Sequence, residues 1–320
     1  MNDTTHSSEH RISRRDFVEM AAKLSVAFGL APTLVADLAE AAEDLFHGRA
    51  PVLWLQGQGC SGCSISLLNS EDPSPLELIT RRIALKYHPT LSAATGHSAV
   101  EIVEEWIGGD RPFVLVVEGT LPERLESACT VADRPVRDLV LRAAPRAKAV
   151  VAVGTCAAFG GIPAAAGNPT GAQSVPAVLE NAGLDVPLVR VPGCPSHPDW
   201  MVGTLLHLIE VGMPAVDQFQ RPLAFYEKLI HDRCLRFADY ESERFARDYG
   251  EDGCLFKLGC LGPITHADCN LRLWNGGTGS CINRGAPCIG CAGELFARDH
   301  EFALTRFSED PGDHGGRHGR

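Results

Sequence analysis

The chain has 320 residues, 45% hydrophobic and 22% charged, with 29 Lys and Arg against 40 Asp and Glu. That composition is globular and long enough for two domains, which excludes a disordered or fibrous chain. A formal net charge of −11 without a long basic run removes the electrostatic footprint of a nucleic-acid binder, so no nucleic acid is expected as a partner.

Residues 1–45 read as an export signal. Arg11-Ile12-Ser13-Arg14-Arg15-Asp16-Phe17-Val18 precedes a mostly apolar stretch, residues 20–36, whose one basic charge is Lys23. This resembles a twin-arginine signal, which sends folded proteins across the membrane. An amphipathic surface helix with a chance Arg pair is the bland alternative. Small residues in 36–42 offer a cleavage site. No later run approaches the roughly 20 apolar residues of a membrane span. The mature chain is therefore expected to carry no transmembrane helix of its own, and to lie in the periplasm or on the outer face of the cytoplasmic membrane.

Residues 46–220 predict an α/β domain. Apolar runs at 51–56, 112–118, 147–153 and 187–191 are Val-rich, bounded by Gly or Pro, and separated by helix-compatible stretches. Such runs read as buried parallel strands. A helix-compatible segment opens at 64–69. One helix is expected over 98–107, with Val100, Val103, Trp106 and Ile107 on one face. Another is expected over 200–211, with Met201, Leu205, Leu208 and Ile209 together. Trp106 and Trp200 read as core residues. Open parallel sheets place ligands beyond the carboxyl ends of their strands. Cys60 and Cys63, Cys156, and Cys194 each follow a strand end and are thereby gathered at one edge.

Residues 221–300 change style, with many glycines, few apolar runs and seven of the twelve cysteines. So little apolar surface calls for bound metal to organise the segment. Residues 301–320 read as a disordered tail, in which His314 and His318 are solvated rather than ligating.

The thiols sort along the chain. Cys60-x-x-Cys63 goes with Cys156 and Cys194, His231-x-x-Cys234 with Cys254 and Cys260, and Cys269 with Cys281, Cys288 and Cys291. These are three complete sets of four ligands, and only Cys129 is left over, read as a small buried hydrophobe. Four thiolates suit a 4Fe-4S cubane, and one histidine among them is chemically acceptable. Zinc takes the same donors and stays a competing reading, especially for the C-terminal sets, although the separation of the ligands exceeds a zinc-ribbon spacing. Disulfides are the other alternative for an exported chain; folding before export in a reducing cytoplasm argues against them.

Several segments together carry a family resemblance: Gly59-Cys60-Ser61-Gly62-Cys63-Ser64, Glu118-Gly119, Gly154-Thr155-Cys156 with Gly160-Gly161, Pro192-Gly193-Cys194-Pro195 with His197-Pro198, and Pro287-Cys288-Ile289-Gly290-Cys291. They resemble the small, electron-transferring subunit of nickel-iron uptake hydrogenases, in order over residues 51–295. The resemblance implies a flavodoxin-like parallel-sheet domain followed by a small, irregular iron-sulfur domain. It implies a proximal 4Fe-4S cluster on Cys60, Cys63, Cys156 and Cys194, and a distal one on His231, Cys234, Cys254 and Cys260. A medial cluster would use Cys269, Cys288 and Cys291. Most members of the family have a proline near position 281, which leaves a 3Fe-4S cluster. Cys281 with Trp274-Asn275-Gly276 is closer to the nickel-iron-selenium branch, implying a medial 4Fe-4S cluster with Cys281 as fourth ligand. No catalytic residue is expected on this chain. The implied partners are a large subunit bearing the nickel-iron centre, in a heterodimer or higher oligomer, and an external redox partner such as a cytochrome.

Oxygen-tolerant members carry two extra cysteines at positions that look like Gly62 and Gly161 here, so a standard proximal cluster and ready inhibition by oxygen are implied. Glu118 ends a strand, where a charge serves cluster electrostatics or structure equally well, and it is not counted among the site residues. The cluster subunit of a quinone-reducing respiratory complex is a rival. It uses adjacent cysteines in its first motif and lacks the second, cysteine-rich segment. The large hydrogenase subunit is a poorer rival, since its last motif continues to a histidine, whereas Cys291 is followed by Ala292, Gly293 and Glu294. A freestanding exported electron carrier is the remaining alternative.

The leader makes one prediction. Arg14→Lys with Arg15→Lys is expected to leave this chain and its partner in the cytoplasm, as read by cell fractionation; undiminished export would remove the twin-arginine reading.

Overall fold

A computed structural model describes residues 49–297. The expected export signal (1–45) and tail (301–320) lie outside the described residues.

The main sheet has five strands, numbered here in chain order: β1 Ala50–Gln56, β2 Ile83–Tyr87, β3 Val114–Glu118, β4 Ala149–Val153 and β5 Leu188–Val191. Their spatial order is β2-β1-β3-β4-β5 and every pairing is parallel. Strands β3 and β4 are buried along their whole length. This is why they read as continuous apolar runs: both faces of a parallel sheet are covered. Strand β2 had no counterpart in the sequence reading. It is a short edge strand containing Lys86, whose ammonium lies 5.4 Å from the Trp106 ring centre, so its stem packs while its charge breaks the apolar run.

The helices that cover the sheet are α1 Gly62–Leu67, α2 Gly96–Gly108, α3 Val136–Ala143, α4 Gly154–Phe159, α5 Val175–Asn181 and α6 Pro198–Glu210. Helix α2 buries Ala99, Val103, Trp106 and Ile107, while Val100 is only half-buried. Helix α6 begins two residues before the expected start. Pro198 is its first residue, and His197 Nδ1 accepts the Asp199 backbone N–H at 3.2 Å, capping one of the free donors there. Trp106 and Trp200 are both core residues, as expected.

Alternation along the strands divides the core into two layers. Leu53, Leu55, Leu115, Val117, Val150 and Ala152 face α2 and α3. Val52, Trp54, Val114, Val116, Val151 and Val153 face the other way, toward Trp200, Met201 and Leu205 of α6. That second layer continues into Tyr226, Ile230, Leu255, Ala267 and Ile282. The segment after residue 220 thus shares a core with one face of the sheet. It is built from turns and short helices such as Leu223–Tyr226 and Phe237–Glu241.

Polar contacts pin this segment down. Trp200 Nε1 donates to Asp268 Oδ1 at 2.6 Å, the buried Tyr226 hydroxyl donates to the Pro192 carbonyl at 2.7 Å, and Thr155 Oγ1 donates to the Cys291 carbonyl. Trp200→Phe leaves a buried carboxylate oxygen without its donor and is expected to cost about 1–3 kcal/mol. A denaturation midpoint equal to that of wild type would show that the bond contributes nothing.

Candidate metal centres

The strand register decides where the first four thiols sit. Gln56 pairs with Glu118, Glu118 with Val153 and Val153 with Val191, so β1, β3, β4 and β5 end level with one another. The chain leaving β1 stays close to the neighbouring strand end: the Gly57 and Gln58 amides donate to the Glu118 and Thr120 carbonyls, both at 2.7 Å. Cys60 is exposed, Cys63 is buried in α1, and Cys156 in α4 and Cys194 after β5 are half-buried.

Their electrostatics show how near they are. Burial pushes the Cys63 thiol far up, assisted by the charge of Glu118 and by Cys156 and Cys194. Burial pushes Cys156 up to about 12, and Cys194 and Cys60 add to it. Cys194 is raised by burial and by Cys60. Thiols so placed are neutral unless a cation is among them, and a metal centre supplies that charge. The Ser196 amide donates to Cys63 Sγ at 3.5 Å, the kind of contact that stabilises a ligating sulfur.

Glycines leave room for this set. Gly154 has φ +81°, and a Cβ there would stand 2.5 Å from Cys63 Sγ. A Cβ at Gly62 would stand 3.0 Å from Cys60 Sγ, and one at Gly161 3.2 Å from Cys156 Sγ. The two positions compared with the extra cysteines of oxygen-tolerant enzymes therefore both abut this set.

His231, Cys234, Cys254 and Cys260 line a single pocket together with Arg236, Phe256 and Pro263. His231 is packed edge-on by Phe237 and Tyr240, with ring centres at 5.1 and 4.6 Å. The Arg236 amide donates to Cys234 Sγ at 3.4 Å.

Cys269, Cys281, Cys288 and Cys291 line a cavity of about 250 Å³, otherwise walled mainly by apolar residues. Cys281 is an exposed residue and still reaches it. Cys291 is raised to about 11, by burial first and then by Cys281 and Cys194. Cys269 is raised further, again by burial first, then by Cys291 and Cys281.

All four candidates of each set are therefore brought together, and the sets adjoin. Cys194, of the first set, lines the same cavity as the third. The Cys288 amide, in the third set, donates to Cys260 Sγ of the second at 3.3 Å. Among the described residues no three of these side chains close to the distance of a single metal ion. Cys129 stands apart, half-buried, with its sulfur 3.9 Å from the Gln56 carbonyl.

One acidic residue that sequence did not place at the site belongs to it. Glu118 is 3% exposed at the end of β3, and its Oε1 accepts the backbone N–H groups of Cys63 at 3.1 Å and Ser64 at 3.2 Å. It caps the start of α1 from another strand and so anchors the Cys60-x-x-Cys63 loop. Its position directly after four apolar residues of a buried strand was the available signal.

Comparison with known proteins gives the family. A family profile described as NADH ubiquinone oxidoreductase, 20 Kd subunit, matches residues 60–208, and a second profile, for the C-terminal part of the NiFe/NiFeSe hydrogenase small subunit, matches residues 226–304. The periplasmic [NiFeSe] hydrogenase small subunit of Desulfomicrobium baculatum is 40% identical over 306 residues, covering 88% of this chain and 94% of that protein. The hydrogenase-2 small chain of Escherichia coli K12 is 37% identical over 301 residues, covering 90% and 78%. In three dimensions, the reduced, active Ni-Fe-Se hydrogenase of Desulfomicrobium baculatum superposes with a TM-score of 0.73 at 42% identity, covering 78% of this chain and 96% of that one. The recombinant [NiFeSe] hydrogenase of Desulfovibrio vulgaris Hildenborough does so with 0.72 at 39%, covering 79% and 96%.

A subunit of an oxidoreductase, built on a parallel sheet, is the class that these relatives define. The chain belongs to the small subunits of nickel-iron and nickel-iron-selenium hydrogenases, whose nickel-iron active site lies on the large subunit. The match to the ubiquinone oxidoreductase profile stops within the sheet domain, and the hydrogenase profile takes up the segment that the quinone-reducing rival lacks.

Gly154→Ala is expected to displace Cys63 and lower the metal content of the purified complex. Gly108→Ala, where nothing lies within 4 Å of the added carbon, is expected to leave it unchanged. Equal metal content in both variants would show that the first set tolerates the crowding.

Proposed function

We propose that this chain relays electrons from hydrogen oxidation at the large-subunit site to an external acceptor, through three 4Fe-4S clusters. Cys60, Cys63, Cys156 and Cys194 would hold the proximal cluster, Cys269, Cys281, Cys288 and Cys291 the medial one, and His231, Cys234, Cys254 and Cys260 the distal one. When bound, such clusters take up and release single electrons at potentials tuned by ligand charge, hydrogen bonds and exposure.

The observation that carries the reading is the continuity of the three sets. Cys194 of the first set lines the same cavity as the third, and the Cys288 amide of the third donates to Cys260 Sγ of the second at 3.3 Å. This chain's residues do the holding and tuning. Amides of Ser196, Arg236 and Gly290 point at sulfurs of Cys63, Cys234 and Cys288. Neutral His231 in place of a thiolate removes a negative charge from the distal set, which favours accepting an electron there. Apolar side chains such as Trp200, Ile230 and Ile289 form much of the wall of the medial cavity. We read the sheet as flavodoxin-like on its 2-1-3-4-5 strand order, with a boundary to the cluster domain at about residue 220.

Cys60 is exposed, Ile65 and Leu68 a few residues on in the chain are exposed too, and Ile162 is exposed next to Gly161. Apolar side chains at that rim fit a docked large subunit. The resemblance of this chain to a periplasmic enzyme, together with its leader, supports a periplasmic location reached by the twin-arginine route. Among the described residues no helix is long and apolar enough to cross a membrane.

The purified heterodimer is expected to hold about twelve iron atoms on this chain, four per cubane. Stoichiometric zinc with little iron would reject the reading, and so would isolation of the chain as a free monomer. Cys281 has its own test. Electron paramagnetic resonance of the oxidised wild type is expected to lack a 3Fe-4S signal that appears in Cys281→Pro; a full-occupancy signal in undamaged wild type would remove Cys281 from the ligands.

A further inference from the structure

The second oxygen of Glu118 carries a hydrogen-bond chain that no motif singles out. Oε2 accepts Trp54 Nε1 at 3.3 Å and the Ser64 hydroxyl. The Ser64 oxygen in turn lies 3.1 Å from His88 Nε2. The direction of the chain follows from the other side of the imidazole, where Nδ1 accepts the backbone N–H of Thr90 at 3.1 Å and of Leu91 at 3.3 Å. A nitrogen that accepts two donors carries no proton, so the ring proton is on Nε2 and is donated to Ser64. A serine hydroxyl has one proton to give. Once its oxygen receives from His88, that proton is directed onto Glu118.

The whole chain of bonds is sealed from solvent: His88 is 0% exposed, Ser64 3% and Trp54 1%. The imidazole packs at a tilt against Trp54 with ring centres 5.0 Å apart, and burial lowers its pKa to about 4, which keeps it a neutral donor. Ser64 follows Cys63 directly in sequence, so the carboxylate that this hydroxyl holds is the one that also grips the Cys63 amide. A buried charge acts strongly on its neighbours, and hydrogen bonds to it reduce the field it exerts.

We propose that His88 is a positioning residue for the proximal cluster: through the Ser64 hydroxyl it fixes the donor on Glu118 and so sets the field that this carboxylate exerts beside Cys63. This rests on the reading of Cys60, Cys63, Cys156 and Cys194 as ligands of that cluster. A buried histidine that merely fills space would influence stability and leave the redox potential alone.

The test is a redox titration of the assembled hydrogenase complex, with the three clusters followed by electron paramagnetic resonance and the medial and distal midpoints as internal references. Ser64→Ala and His88→Leu remove compensation from the carboxylate, so the proximal midpoint is expected to fall while the other two stay in place. Glu118→Gln removes the charge itself and should move the proximal midpoint the opposite way. His88→Gln keeps an N–H donor at the position of Nε2 and should restore the wild-type value. If His88→Leu fails to fold, Ser64→Ala decides, since it deletes one oxygen. A proximal midpoint unchanged in Ser64→Ala, or a shift shared by all three clusters, would overturn the role of His88. A proximal signal that survives Cys156→Ser unaltered would instead overturn the ligand assignment, and the proposal with it.

Discussion

Four strands that end level with one another are the constraint on which the rest of this molecule depends. Gln56, Glu118, Val153 and Val191 are neighbours across the sheet, so whatever follows them in sequence begins from one edge. Cys60, Cys63, Cys156 and Cys194 are far apart in the chain and meet because hydrogen-bonded ladders of buried Val and Leu hold those ends in register. A shift of one residue in any ladder would turn a strand's buried faces over, which a doubly covered sheet opposes strongly.

From that edge the second half of the chain can be understood. It has no large sheet of its own and shares the Trp200 and Tyr226 layer with the first half, so its short helices and turns are positioned by packing onto α6 and by a few buried hydrogen bonds. The remaining organisation falls to the thiols. Burial disfavours thiolates throughout the sets, as the upward shifts of Cys63, Cys156, Cys269 and Cys288 show. Bound iron would offset that penalty, linking the folding of this segment to metal uptake.

The first set is surrounded by groups of three kinds: an amide that points at sulfur, glycines that leave space, and a carboxylate with its own donors. They come from different strands and loops. Gly154 opens α4 directly after β4, Ser196 lies in the turn after β5, Glu118 ends β3, and His88 directly follows β2. The edge of the sheet is thus both the attachment point of the four thiols and the source of their surroundings.

The central strands, the two long helices and the grouping of the cysteines into three sets were legible in the sequence by itself, because local pattern carries them. Val-rich runs ended by Gly or Pro mark buried strands, and cysteine spacing survives without knowledge of contacts. Strand β2 was hidden, since an edge strand with a snorkelling lysine lacks the apolar continuity of its neighbours. The roles of Glu118 and His88 also had to wait for the tertiary structure. A charge that ends a strand and a lone histidine look the same in sequence whether they are structural or poised beside a cofactor. Only the fold decides, by setting a carboxylate from one strand, an imidazole from the end of another and a hydroxyl on a helix within hydrogen-bond reach in a place that water does not enter.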